Sequence, residues 1–399
     1  MIFDDSDLNG YHGDQIRRLV KYWCDHGYRG RLDVALIRRF LDNEQPELAE
    51  TISAGAHRGV GVVGIEDGAR GNGGRLLGAL SSGRLVHECV QRVRPDKCLL
   101  MGLDGLRLPL AFGLRFNFPV KFAGIYLSPM FHYRQCGFST KRGDRFRALH
   151  QKHILWLTAR NRHLETIFCA DPYSVPPLAA MAPGVRVLSL PDPVDLPRGR
   201  TDISSFKQSL RIEHDRLVLL LFGLLSRRKG IFQTLEALRL LSEQTIGRIC
   251  LVLAGKIPES DRPALLLKVN EISELRRVQI IVRDERIPEH ELDNFFAAAD
   301  LVLLPYQHHV GDSAVLMRAA AAGVPVLAQD YGLIGQLVRR RNLGITVDTS
   351  DPEEIAKALE RSVQIGCDAL LDRSEARSFA AENSTEKFAC TIFQGMGLN

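Results

Sequence analysis

The stretch FGLLSRRKG (222–230) places two glycines, two arginines and a lysine between an apolar run, Leu217–Phe222, and a helical pattern that begins at Gly230. Gly223 permits a close turn there, and Arg228 and Lys229 stand just before the helix start. A helix N-terminus offers unpaired N–H groups and a partial positive charge to an anion, and a lysine adds a point charge. A second loop, HHVGDS (308–313), precedes the helical pattern Ser313–Ala322. In it Gly311 lets the backbone approach a ligand, Asp312 or Ser313 can cap the helix, and the amides of Ser313, Ala314 and Val315 form another anion cradle. A third loop, Asp330–Gly332, follows the run Val324–Gln329. All three loops fall where strands end, which is where open parallel sheets bind ligands. The chemistry they imply is the holding of phosphates.

The first half offers fewer such groups. Gly10, His12 and Gly13 lie in the loop expected after the opening strand. His132 sits in YLSPMFHYR (126–134), just past the run Val120–Tyr126, and Asp104 sits in MGLDGL (101–106) after Lys97–Leu103. A histidine or an acid at a strand end can line a substrate or move a proton. The structural alternatives are a His132 stacked on Phe131 or Tyr133, and an Asp104 that serves its turn. His308 and His309 are adjacent without a carboxylate at ligand spacing, so they read as loop residues rather than metal ligands.

The elements that must position these groups alternate between short apolar runs and longer helical patterns, the mark of α/β sheets with helices on both faces. In the first half the strands are Val60–Ile65, Lys97–Leu103, Val120–Tyr126, Thr166–Ala170 and Val185–Ser189, with helices at Asp14–His26, Gly74–Arg94 and Asp144–Arg160. Only Met1–Phe3 precedes the first loop, whereas a longer first strand is expected, so the natural start is expected a few residues upstream. LPDPVDLPRGRTD (190–202) reads as a linker, and the alternation then restarts at Leu217. The restart predicts two Rossmann-like domains facing across a cleft. They span residues 1–190 and 203–375, joined by a linker at 191–202, with a helical tail at 376–399 packing back toward the first domain.

Composition agrees. The chain has 399 residues, more than the ~250–300 at which single cores stop growing. No apolar run reaches the ~18 residues needed to span a bilayer, and MIFDDSDLNG lacks the basic and apolar segments of a signal peptide. Eight scattered cysteines without a Cys-x-x-Cys pair read as buried thiols of a reducing compartment, the cytoplasm. The net charge of +5 is mildly basic, and no nucleic-acid-binding motif accompanies it. The basic runs Arg227–Lys229 and Arg339–Arg341 either face solvent or attract phosphates, of a nucleotide or of an anionic lipid surface, which leaves peripheral membrane contact as one expectation. No Gly-x-Gly-x-x-Gly with a following acid appears, which disfavours an oxidoreductase.

The second half resembles the donor domain of a family 4, GT-B glycosyltransferase. The stretches that carry the resemblance are FGLLSRRKGIFQTLEAL (222–238), LVLAGK (251–256), ELDNFFAAADLVLLPYQ (291–307), GDSAVLMRAAAAGVPVLAQDYGLIGQLV (311–338) and NLGITVDTSDPEEIAKAL (342–359). The resemblance implies transfer of a sugar from a nucleotide-sugar to a hydroxyl of a glycan, a lipid-linked or a small-molecule acceptor, with retention and with neither metal nor cofactor. Lys229 matches the family lysine that neutralises the donor diphosphate, with Arg228 beside it. Gly311 to Ala314 match the loop under the sugar and phosphates, and the first half carries the acceptor, with His132 and then Asp104 as the catalytic candidates. Two departures stand out. The family's pair of glutamates, separated by seven residues, falls on Val310 and Arg318, and its arginine in the phosphate turn falls on Leu224. The first loss removes a contact to sugar hydroxyls and the second a contact to ribose. Arg318, one turn after Ala314, can donate to ribose or phosphate oxygens but cannot accept from hydroxyls. An inactive nucleotide- or partner-binding relative, or a GT-B epimerase, is the alternative that these losses suit.

Overall fold

The computed structural model describes residues 1–5, 11–38, 46–66, 75–113, 116, 118–131, 133, 143–196, 202–275 and 277–398. Its contacts divide the chain into two compact units. One comprises Met1–His132, Lys141–Pro193 and Thr385–Asn399, the other Tyr133–Thr140 and Val194–Ser384.

The first unit alternates β1 (Ile2–Phe3), α1 (Tyr11–His26), β2 (Leu32–Ile37), α2 (Pro46–Gly55), β3 (Val60–Ile65), α3 (Arg75–Val93), β4 (Lys97–Leu100) and α4 (Leu103–Phe112). It continues through β5 (Lys121–Tyr126), α5 (Asp144–Thr158), β6 (Leu164–Cys169), α6 (Val175–Met181) and β7 (Arg186–Ser189). The strands form one parallel sheet in the order β3-β2-β1-β4-β5-β6-β7. Successive side chains of a strand point to opposite faces, so Phe3 and Leu100 join one core while Ile2 and Leu99 join the other.

The second unit runs α7 (Ile203–Ser209), β8 (Leu217–Phe222), α8 (Ile231–Leu240), α9 (Glu243–Ile246), β9 (Ile249–Ala254), α10 (Arg262–Leu275), β10 (Gln279–Arg283) and α11 (Glu289–Ala298). It closes with β11 (Leu301–Leu304), α12 (Ala314–Ala322), β12 (Val326–Gln329), α13 (Gly332–Arg340), β13 (Gly344–Val347), α14 (Pro352–Ile365) and α15 (Arg373–Glu382). Its parallel sheet has the order β10-β9-β8-β11-β12-β13. Strands covered on both faces read as unbroken apolar runs, as in ICLVLA of β9, buried throughout. In both sheets the strand order reverses once, between β1 and β4 and between β8 and β11, and a crevice opens at the carboxyl ends of such a pair.

Four elements of the first unit, β2, α2, α4 and α6, escape the apolar pattern. β2 carries Asp33, which interrupts its run; that carboxylate is buried and accepts from Arg31 Nε at 2.8 Å. α4 contains Pro109 in its last turn, where it costs an internal amide donor. The expected strand Lys97–Leu103 stops at Leu100, and Leu103 opens the helix. The expected tail is also divided. α15 packs on α12 in the second unit, and only α16 (Thr385–Gly395) belongs to the first. Val194 and Ser384 form a parallel bridge beside the points at which the chain enters and leaves the second unit.

α16 completes a core of the first unit. Phe393 lies 4.9 Å from the ring of Tyr28 and 5.6 Å from that of Tyr22, and the Gly395 carbonyl accepts from Thr166 Oγ1 and Arg186 Nη2. Truncating a large buried aromatic costs about 3–5 kcal/mol. Phe393→Ala is therefore expected to lower the unfolding free energy of the first unit, measured by urea denaturation, by that amount; a loss below about 1 kcal/mol would show α16 to be dispensable.

Candidate functional site

At the carboxyl ends of β8 and β11 the chain folds a one-turn 3-10 helix, Arg227–Lys229, closed by Gly230 at φ +71°. A Cβ on Gly230 would meet the Pro305 carbonyl oxygen at 1.8 Å, so only glycine lets this turn lie against the end of β11. Gly223 has φ +103°, and a side chain there would press on the Lys229 ammonium, 3.3 Å away. The turn thereby brings Lys229 back over the strand end from which it started. Lys229 is buried, at 7% exposure. Its Nζ donates to the Tyr306 hydroxyl and lies 4.2 Å from the centre of that ring. Tyr306 in turn shares a hydrogen with Ser313 Oγ at 3.0 Å. One chain of polar contacts thus ties the 222–230 turn, the end of β11 and the start of α12.

Ser313 occupies the N-cap position of α12, yet its hydroxyl makes no capping bond. The expected cap is replaced by the bond to Tyr306. Asp312 contributes its backbone carbonyl, which accepts from His309 Nε2 at 2.8 Å. Arg228 Nη1 donates to His309 Nδ1 at 3.3 Å. The two contacts fix one arrangement of the imidazole, neutral, with its proton on Nε2. Burial, aided by the nearby Arg228 and Lys229 charges and opposed by the bond to Asp312, lowers its pKa to about 4. Gln329, at the end of β12, accepts from the His309 amide and donates to its carbonyl. Gly332, at φ +65°, lies close beneath the Val310 carbonyl, which accepts from Leu333 N and from the Tyr133 hydroxyl.

In the first unit, His12 and Gly13 occupy the first turns of α1 rather than the loop expected for them. His12 Nδ1 lies 3.1 Å from Asp4 Oδ1, both side chains buried, at the ends of β1 and β4 where Gly102 approaches the imidazole. Asp104 lies in the first turn of α4 and accepts from the Leu127 amide at 2.8 Å. Burial raises its pKa, while Arg107 and the backbone amides act in the opposite direction. Its carboxylate joins α4 to the exit of β5. Gly10 and His132 lie outside the described residues.

Gly223, Arg228, Lys229, Asp312 and Ser313 are therefore gathered around Tyr306 and His309. Gly311 is buried in the same loop, Ala314 opens α12, and Arg318 lies half-buried one turn later on that helix. Tyr306 and His309 were not legible as site residues; their partners are 77 and 81 residues away in the chain. Among the described residues no group of three or more His, Cys, Asp or Glu could hold a metal.

A histidine kept neutral on folding binds fewer protons than the unfolded chain between about pH 6.5 and its folded pKa. Stability is complete above about pH 6.5 and is lost as pH falls toward about 4, by up to about 3 kcal/mol from His309. His309→Asn keeps an acceptor where Nδ1 stood but cannot ionise. Urea unfolding between these pH values is expected to show a shallower acid loss for this variant, and an unchanged slope would place the proton uptake elsewhere.

The sequence profile of the family Glycosyl transferases group 1 matches residues 202–378. YtcC of Bacillus subtilis (strain 168) is 26% identical over 185 residues, 45% of this chain and 44% of YtcC. The lipopolysaccharide 1,2-N-acetylglucosaminetransferase of Salmonella typhimurium is 31% identical over 142 residues, 35% of this chain and 37% of that protein. The chain thus spans under half the length of these curated relatives. Across the whole fold it is similar to Anabaena HepE, solved in complex with UDP: TM-score 0.68 at 17% identity, covering 99% of this chain and 98% of HepE. The chain has the GT-B fold, and its residues 202–378 match the sequence profile of the group 1 glycosyl transferases.

Proposed function

We propose that this chain transfers a sugar from a nucleotide-sugar to a hydroxyl acceptor, and that the site around Lys229 holds the donor's diphosphate. The observation that carries the reading is the buried Lys229 ammonium. Its hydrogen-bond partner is a phenol, and among the described residues no carboxylate pairs with it. A buried charge needs a counter-charge, and Arg228 beside it adds a second cation rather than neutralising the first. A diphosphate supplies what is missing. When the bond between sugar and phosphate breaks, negative charge grows on the leaving diphosphate, and fixed cations and a helix N-terminus stabilise it without reorganisation.

HepE was solved with UDP, so uridine diphosphate is the first donor nucleotide to try. Retention and independence from metal follow the family resemblance, with Lys229, Arg228 and the α12 amides in the place a divalent cation would take. Arg318 stands where the family has a ribose- or sugar-binding glutamate, and we assign it a donor contact to phosphate or ribose. Discrimination between ribose and 2′-deoxyribose should then be weaker than in a glutamate-bearing relative. Val310 and Arg318 also favour one second reading, a protein that binds the nucleotide without turnover. Release of UDP from UDP-sugars separates the two.

A charge-assisted contact to phosphate contributes about 1.5–3 kcal/mol. Lys229→Ala is accordingly expected to weaken UDP binding about ten- to a hundredfold while leaving uridine binding unchanged. Equal weakening of both ligands, or of neither, would remove Lys229 from the site. Turnover is expected to persist in EDTA; complete loss restored by Mg²⁺ would overturn the metal-free charge balance.

A further inference from the structure

Helix α5 carries a ridge that the nucleotide site does not explain. Its inner face is fixed to the first unit. Leu155 and Thr158 are buried, Thr158 Oγ1 donates to the Arg107 carbonyl, and Gln151 bonds both the Met130 amide and the Ser128 carbonyl. On the opposite face Phe146 is 82% exposed, Leu149 55% and Trp156 43%. At 3.6 residues per turn these three, with His153, fall in one row along the helix, and Arg160 follows just past its end. The Arg160 guanidinium lies 3.4 Å from the centre of the Trp156 ring. Exposed Arg145 and Lys152 flank the row on one side, and exposed Arg147 and His150 on the other. The one acid of the helix, Asp144, is buried.

We propose that this face of α5 docks on an anionic lipid surface, with Phe146, Leu149 and Trp156 entering the headgroup boundary and the flanking cations at the lipid phosphates. A large apolar side chain left in water loses its transfer free energy, and three in one row on a rigidly held helix need an apolar partner. The cations on both sides of the row select its charge. A second copy would bring the same positive face against itself and be repelled, whereas a bilayer offers apolar depth beneath a plane of phosphates, matching ridge and flanks together. Tryptophan in the row also suits the interface, where its ring and N–H are both satisfied. The inference stands independently of the donor reading, because it uses none of the residues around Lys229.

The test is co-sedimentation of the full chain, without nucleotide, with phosphatidylcholine vesicles that contain or lack phosphatidylglycerol. Trp156 reports contact directly, since the chain's other tryptophan, Trp23, is buried. Binding to the anionic vesicles alone, a blue shift and quenching by brominated lipid are expected. Partitioning should fall about tenfold or more in Arg147→Glu/Lys152→Glu, and similarly in Phe146→Ser/Leu149→Ser. All four positions are exposed, and unaltered melting of each variant shows that it folds. The proposal is overturned if the wild type ignores anionic vesicles at low salt, binds neutral ones equally well, or loses nothing in both variants. It is equally overturned if the ridge proves to join two copies of the chain, seen as a dimer that Phe146→Ser/Leu149→Ser dissociates.

Discussion

Taking an ammonium ion out of water costs several kcal/mol unless an anion or well-placed dipoles replace its hydration. In the second unit the fold places such an ion, Lys229, at the carboxyl ends of its two central strands and gives it a phenol for company. Much of the local structure serves that placement. Gly223 leaves the space the side chain crosses, Gly230 lets the turn lie on Pro305, and Tyr306 couples the ammonium to the first residue before α12. The arrangement is completed by whatever brings negative charge; in the function proposed above, that is a nucleotide diphosphate.

Among the described residues no carboxylate pairs with this ion. His309 stays neutral because burial disfavours its charged form, with Arg228 and Lys229 adding to the effect, and its neutral ring can then accept from Arg228. A glutamate at Val310 or Arg318 would have altered that balance. Here the backbone carbonyl of Val310 is engaged by Tyr133 and Leu333, and the second position is itself basic. The first unit repeats the topology with different chemistry. At its own strand reversal a buried Asp4–His12 pair stands where the second unit has a lysine, a group suited to moving a proton rather than binding phosphate.

The sheets were legible where burial on both faces produces an unbroken apolar run. β8 and β11 fall on the residues read from the pattern, as does the edge strand β3 although Val62 is exposed, and α14 does too, between a proline at its first position and Gly366 after its end. β2 was hidden by Asp33, and α4 by Pro109, because each places an untypical residue inside a regular element and compensates it through a tertiary contact or a helix end. The same distinction holds at the site. Lys229 and Gly223 are conspicuous because a glycine turn and a basic residue before a helix form a local pattern. Tyr306 and His309 matter through partners far along the chain, and Ser313 reads as an ordinary N-cap although its hydroxyl serves Tyr306. The α5 ridge was likewise present in the spacing of Phe146, Leu149 and Trp156, but only packing shows which face of a helix the core leaves outside.

The central claim is that the second unit recognises phosphate charge through a buried cation. Calorimetric titration of the wild-type chain with uridine, UMP and UDP, each at low and at high salt, addresses it most directly. Affinity should rise at each added phosphate, by about tenfold or more at the second, as charge-assisted contacts accumulate, and the advantage of UDP should largely survive added salt because the ammonium is shielded from solvent. Uridine binding as tightly as UDP, or a UDP advantage that vanishes in salt, would contradict the account.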